Sequence, residues 1–128
     1  MALTHHIPPE LNNSPVFSQG VESTGGLLFV GGQNGVTGDG LMASGFEGQT
    51  VQAYRNLLAV LADAGCRQED VLKLTIYIVG DQDVRDGLVA AQRVWGTHPT
   101  AITVLRVSGL ARPEALIEVE AVAQVPAE

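Results

Sequence analysis

Near the C-terminus two carboxylates lie inside an apolar run, Leu116-Ile117-Glu118-Val119-Glu120-Ala121-Val122-Ala123. Strand side chains alternate faces, so Glu118 and Glu120 share one face and Ile117, Val119, Ala121 and Ala123 share the other, toward a core. Glutamate is disfavoured in strands, and two like charges on one face repel. Water, a cationic partner or a functional site must make the pair tolerable. A glutamate beside an apolar cleft has its pKa raised, because burial disfavours its charge, and can then position or activate water. The plainer reading is the solvated face of a half-buried strand, with Glu118 a hydrogen-bonded structural carboxylate.

Other reactive residue types carry less. Cys66 is the single cysteine; it forbids an internal disulfide, fits a reducing compartment and reads as a packed thiol rather than a nucleophile. His5 and His6 are adjacent, so on a strand they face opposite ways. The polar, proline-containing stretch from Met1 to Ser14 reads as a loosely ordered lead-in. Ser18 lacks a local histidine partner and is an unconvincing nucleophile. His98, before Pro99, reads as a loop residue, and Trp95 as core. The stretch Gly31 to Gly40 has neither the lysine nor the immediate helix of a phosphate loop, so it signifies turns and a close backbone approach.

The elements that position these residues follow from periodicity. Val16 to Glu22 reads as a first strand and Leu27 to Val30 as a second, joined at Thr24-Gly25-Gly26. Ser44 and Glu47 have capping-box spacing, opening a helix to about Ala64 whose apolar face is Val51, Tyr54, Leu57, Leu58 and Leu61. Gly65 stops it. Val71 to Val79 alternates cleanly as a strand. Asp81 or Asp83 caps a second helix with a stripe of Val84, Leu88, Ala91 and Trp95, ended by Gly96. Ala101 to Val107 is a further strand, and Gly109 to Pro113 lead to the glutamate strand. The order β-β-α-β-α-β-β gives an α+β fold, a mixed sheet with two helices on one face.

Length and composition set bounds. A chain of 128 residues fits one domain, residues 1–128, with 1–14 as its lead-in. Charged residues make up 16%, against roughly a quarter in soluble domains. The formal net charge is −7, and the seven Lys and Arg form no basic run. Nucleic acids and anionic membranes are therefore not expected partners. No apolar run is long enough for a membrane span, and the chain reads as cytoplasmic. Two helices, each ~10 Å wide, cover one face of a sheet whose strands lie ~4.8 Å apart. The other face keeps apolar residues such as Leu105, Val107 and Val122, which points to a symmetric oligomer.

Six short matches in order carry a family resemblance: Ser14-Pro15-Val16-Phe17-Ser18-Gln19, Leu28-Phe29-Val30-Gly31-Gly32-Gln33, Asn56-Leu57-Leu58-Ala59-Val60-Leu61, Val71-Leu72-Lys73-Leu74-Thr75-Ile76-Tyr77, His98-Pro99-Thr100-Ala101 and Ile117-Glu118-Val119-Glu120-Ala121. Together they resemble the YjgF/RidA family of reactive intermediate deaminases. The resemblance implies a chorismate-mutase-like fold, a homotrimer with a trimeric barrel core, and ligand clefts between adjacent subunits. It also implies hydrolysis of 2-imino or enamino acids to 2-oxo acids and ammonia, without cofactor or metal. A ribonuclease label also attaches to the family, and the acidic balance here argues against it.

The resemblance assigns the site residue by residue, and this chain departs from it. Glu118 matches the family's water-positioning acid, and Gly32 the backbone lining the cleft. The hallmark arginine after Pro-x-Ala is Ile102 here. The tyrosine of the first motif is Phe17, the serine before the glycine-glutamine pair is Gly31, and an asparagine of the second helix is Leu88. A guanidinium grips a carboxylate with two parallel hydrogen bonds. Losing such a buried contact removes on the order of 2 to 5 kcal/mol, or roughly 30-fold or more in affinity. Arg106 lies on the same strand face as Ile102 but ~13 Å further along, a surface or interface residue rather than a replacement. The expectation is a small-molecule protein with an altered, more apolar cleft. It either hydrolyses a less acidic substrate through Glu118 or acts as a non-catalytic binding or interaction module.

Overall fold

The computed structural model describes residues 3–23 and 25–127. Its elements are β1 (Thr4–His6), β2 (Gly20–Glu22), β3 (Leu27–Asn34), α1 (Gly45–Asp63), β4 (Val71–Val79), α2 (Val84–Trp95), β5 (Ala101–Val107) and β6 (Ile117–Gln124). The strands form one six-stranded sheet in the order β1-β2-β3-β6-β4-β5. β4 and β5 are parallel, with α2 as their crossover; the other pairs are antiparallel. This is the α+β arrangement expected from the periodicity, a mixed sheet carrying two helices, with an additional strand at one edge.

That strand corrects the reading of residues 1–14 as a loose lead-in. Met1 and Ala2 lie outside the described residues, but Thr4–His6 pairs with β2. His6 is buried, its ring nitrogens 2.9 Å from Asp63 Oδ2 and 3.0 Å from Glu22 Oε1. Two carboxylates on different elements hold the strand down, a long-range arrangement that local composition does not encode. The two adjacent histidines do face opposite ways, His5 meeting Ser18 instead. The expected first strand is shorter than its apolar residues suggest, because Pro15 and Val16 form a turn bridged by Ser14 and Phe17. Of the expected turn at 24–26, Thr24 lies outside the described residues.

Register decides which side chains share a face. Phe29, Val122, Lys73 and Ala101 lie in one row across the sheet, and Tyr77, Glu118 and Leu105 in another. Both rows are on the open face. Val30, Ala121, Leu74 and Ile102 form a row on the helix-covered face, as do Gln33, Val119, Ile76 and Val104. The core sits between this face and the helices, where Leu28, Leu57, Val60, Leu74, Val119 and Ala123 are wholly buried.

The helices differ from their expected stripes. α1 buries Thr50, Ala53, Tyr54, Leu57, Val60 and Leu61, while Val51 and Leu58 are only partly covered. The helix touches β3, β6 and α2 together, so its covered face is wider than one stripe and takes in the polar Gln49 and Asn56. Ser44 is the N-cap, but no side-chain cap bond forms. Gly45 has φ +74°, which turns the chain into the helix from another direction, and Glu47 pairs with Arg93 of α2 at 3.5 Å. α2 is capped by Asp83, whose Oδ1 accepts from Arg85 N at 2.8 Å. It buries Gly87, Ala90, Ala91 and Trp95. Val84 and Leu88, expected in its buried stripe, are exposed because α2 stands off from the edge strand β5.

Candidate functional site

β3 and β6 pair evenly from Leu27 to Val30, and again at Gln33 and Asn34. Between these points Gly31 and Gly32 together oppose Glu120 alone. Such a bulge bends the strand and re-aims side chains at the sheet surface. Glu118 lies over it: a methyl group on Gly32 would collide with the Glu118 carboxylate. Glycine is needed here for space, since the carboxylate occupies the volume of a side chain. Burial, with a smaller contribution from Glu120, raises the Glu118 pKa above the usual carboxylate range. Its carboxylate makes no hydrogen bond to a described residue. Glu120 is in a different position, accepting a hydrogen bond from Tyr77 Oη at 2.6 Å. The pair tolerated on one face is thus divided between one carboxylate bonded within the chain and one with no bond to a described residue.

Glu118, Gly31, Gly32 and Phe17 line one cavity of about 370 Å³. Its walls are fastened by buried amides. Gln33 Nε2 donates to Gln19 Oε1 at 2.8 Å, and Gln19 Nε2 donates to Asn12 O at 3.1 Å. Asn56 of α1 donates to Asn34 O and Val36 O at 3.0 and 2.8 Å. Gln49 donates to Glu114 O at 3.1 Å and accepts from Leu116 N at 2.8 Å. That pair of bonds fixes the loop entering β6, and with it Arg112, which also lines the cavity. Gly35 lets α1 approach this closely: a side chain there would meet the Gln49 backbone.

The remaining residues assigned from sequence are elsewhere. Leu88 and Ile102 line an apolar crevice of about 210 Å³ between α2 and β5, with Val104 and Tyr54. Ile102 is on the helix-covered face of the sheet and Glu118 on the open face, so within one chain they do not meet. Arg106 is committed to the loop before α2, its Nη1 donating to Gly80 O and Gln82 O at 2.8 and 2.9 Å. Ser18 has no local histidine in the sequence but meets one in space: His5 Nδ1 is 2.6 Å from its Oγ. The partner comes from β1, a strand the sequence did not disclose, and the pair is solvent-exposed. Cys66 is buried, and burial raises its thiol pKa. His98 bonds Glu69 at 3.2 Å, and Trp95 packs edge-on against Tyr54 at 5.7 Å. Sequence reasoning missed Arg112; the available signal was its place in the loop leading directly into the glutamate strand.

Comparison with known proteins agrees with this architecture. A family model described as Endoribonuclease L-PSP matches residues 10–125. A RutC family protein of Aquifex aeolicus is 41% identical over 63 residues, a match spanning 48% of this chain and half of that protein. RutC family protein YjgH of Escherichia coli is 30% identical over 108 residues, 80% of this chain and 79% of that protein. The crystal structure of YyfA from Yersinia pestis, described as a conserved Rid family protein of unknown function, superposes with a TM-score of 0.88 at 27% identity, covering 97% of this chain and all of that one. The matched span includes every residue that lines the cavity, from Leu11 to Glu118, and the chain belongs to the Endoribonuclease L-PSP family, the YjgF/RutC/Rid group.

Proposed function

We propose that this protein hydrolyses small imines or enamines, with Glu118 directing water onto the electrophilic carbon. A 2-imino acid and water give a 2-oxo acid and ammonia: a C–O bond forms, the C–N bond breaks, and the water protons leave on nitrogen. The observation that carries this reading is the Glu118 carboxylate, half-buried over the Gly31–Gly32 bulge with a raised pKa and no hydrogen-bond partner among the described residues. Such a carboxylate is not engaged by a hydrogen bond to a described residue, and its carboxyl equilibrium is displaced toward the range in which proton transfer to and from water is effective.

The second half of the site is the crevice of Leu88, Ile102 and Val104. It supports an apolar substrate group where the family resemblance places a polar asparagine and an arginine. Because this crevice and Glu118 are on opposite faces of the sheet, they come together only between two copies of the chain, as in the clefts of a homotrimer. The half-exposed Phe29 and Leu105 on the open sheet face favour such an assembly. Ammonia release from freshly generated 2-iminobutyrate tests the reading. The wild type should exceed buffer, and Glu118→Gln should lose about 100-fold or more. A wild-type rate equal to buffer contradicts hydrolysis and favours non-catalytic binding, which the apolar or bare residues Phe17, Gly31, Leu88 and Ile102 would suit.

A further inference from the structure

We infer that Arg112 is the carboxylate-binding residue of this site, in place of a cation at position 102. This inference rests on the small-molecule reading above and names the anion clamp of the same cavity. Among the described residues lining the cavity, Arg112 is the single cation and Glu118 the single anion. Yet the two form no ion pair, and Glu118 draws no stabilisation from a positive neighbour. A site that binds a carboxylate at one end and activates water at the other requires this separation, since a direct Arg–Glu contact would neutralise both.

The guanidinium is oriented before any ligand arrives. Nη2 donates to Gly40 O at 2.9 Å, and Nε lies 3.7 Å from the exposed Glu114 carboxylate, too far for a hydrogen bond. Nη1 has no acceptor among the described residues. Arginine carries five donors in a fixed plane and stays charged, so one edge remains open for two parallel bonds to a carboxylate. The anchoring removes part of the ordering cost that a free surface arginine would incur. Gln49 adds to this from α1 by holding Glu114 O and Leu116 N, in the same loop just after Arg112. Position 102 cannot perform the task in this chain, and Arg106 is engaged elsewhere.

Calorimetric titration with 2-oxobutyrate and with its uncharged counterpart 2-butanone, on wild type, Arg112→Gln and Arg112→Lys, tests the assignment. The wild type should bind 2-oxobutyrate more tightly than 2-butanone. Arg112→Gln should weaken 2-oxobutyrate by about 30-fold and leave 2-butanone unchanged; a merely loosened loop would weaken both. Arg112→Lys keeps the charge but loses the fork, and should fall between. The inference is overturned if the wild type does not bind 2-oxobutyrate, if it prefers 2-butanone, or if folded Arg112→Gln or Arg112→Lys retains full affinity. Ammonia release in parallel separates the two claims. Arg112-dependent binding without turnover removes hydrolysis and keeps the clamp, whereas turnover and binding both indifferent to Arg112 keep hydrolysis and remove the clamp.

Discussion

Glu118 carries its charge at a thermodynamic disadvantage, and this has consequences measurable apart from activity. Its pKa is raised in the folded chain, by burial and then by Glu120. The folded state therefore holds this proton to higher pH than the unfolded chain, and stability falls as pH rises from the unfolded pKa through the folded one. Glu118→Gln should flatten that part of the stability–pH curve and leave Tm at neutral pH equal or higher, even as turnover collapses. A lower Tm for the variant would mark Glu118 as a structural carboxylate. Gly32→Ala tests the same group from beneath. Its methyl displaces the carboxylate, and turnover should drop roughly 10- to 100-fold with the fold intact by circular dichroism. Glu118 was legible in the sequence because a charged residue in an alternating apolar strand has a defined face. Arg112 was not, since an irregular loop has no period and its anchor, Gly40 O, is 72 residues away in the chain.

At the level of elements, β4 could be read from its alternation and β5 from its apolar run, whereas β1 could not. Three residues, two of them histidine, have no strand pattern; what fixes them is His6 between Glu22 and Asp63. Burial alone would lower the His6 pKa, but the hydrogen bonds and charges of the two carboxylates outweigh it and the net shift is upward. The stabilisation is fully present below the unfolded histidine pKa and is lost as pH rises through the folded value. His6→Gln should cost about 1–3 kcal/mol in urea unfolding under mildly acidic conditions, and the deficit should shrink in alkaline buffer. A deficit independent of pH would show that packing, not the charged bridge, holds β1. α1 was likewise legible as a helix but not in the full width of its covered face. Gln49 and Asn56 are buried on it, because the loops around the cavity need their hydrogen bonds satisfied from the helix, and Thr50 is buried with its hydroxyl donated back to Phe46 O of the same helix. A hydrophobic stripe read from sequence excludes such residues.

On the scale of the whole molecule, the sheet leaves Phe29 and Leu105 about half exposed on a face no helix covers. In the proposed assembly this face is buried between copies, so Phe29→Glu should shift the mass seen by sedimentation toward that of one chain and reduce turnover with it. Retention of the oligomer would place the interface elsewhere. The assembly matters chemically because the carboxylate of Glu118 and the apolar crevice at Ile102 belong to opposite faces of one sheet. A complementation experiment measures this division directly. Glu118→Gln lacks the acid, and Ile102→Trp fills the crevice, so each alone should be inactive toward 2-iminobutyrate. If each cleft takes its acid from one copy and its apolar wall from another, refolding the two together at equal ratio restores both halves in about a quarter of the clefts. Recovery of about a quarter of wild-type ammonia release is the expected result; mixed oligomers no more active than their parents would contradict a site shared between copies.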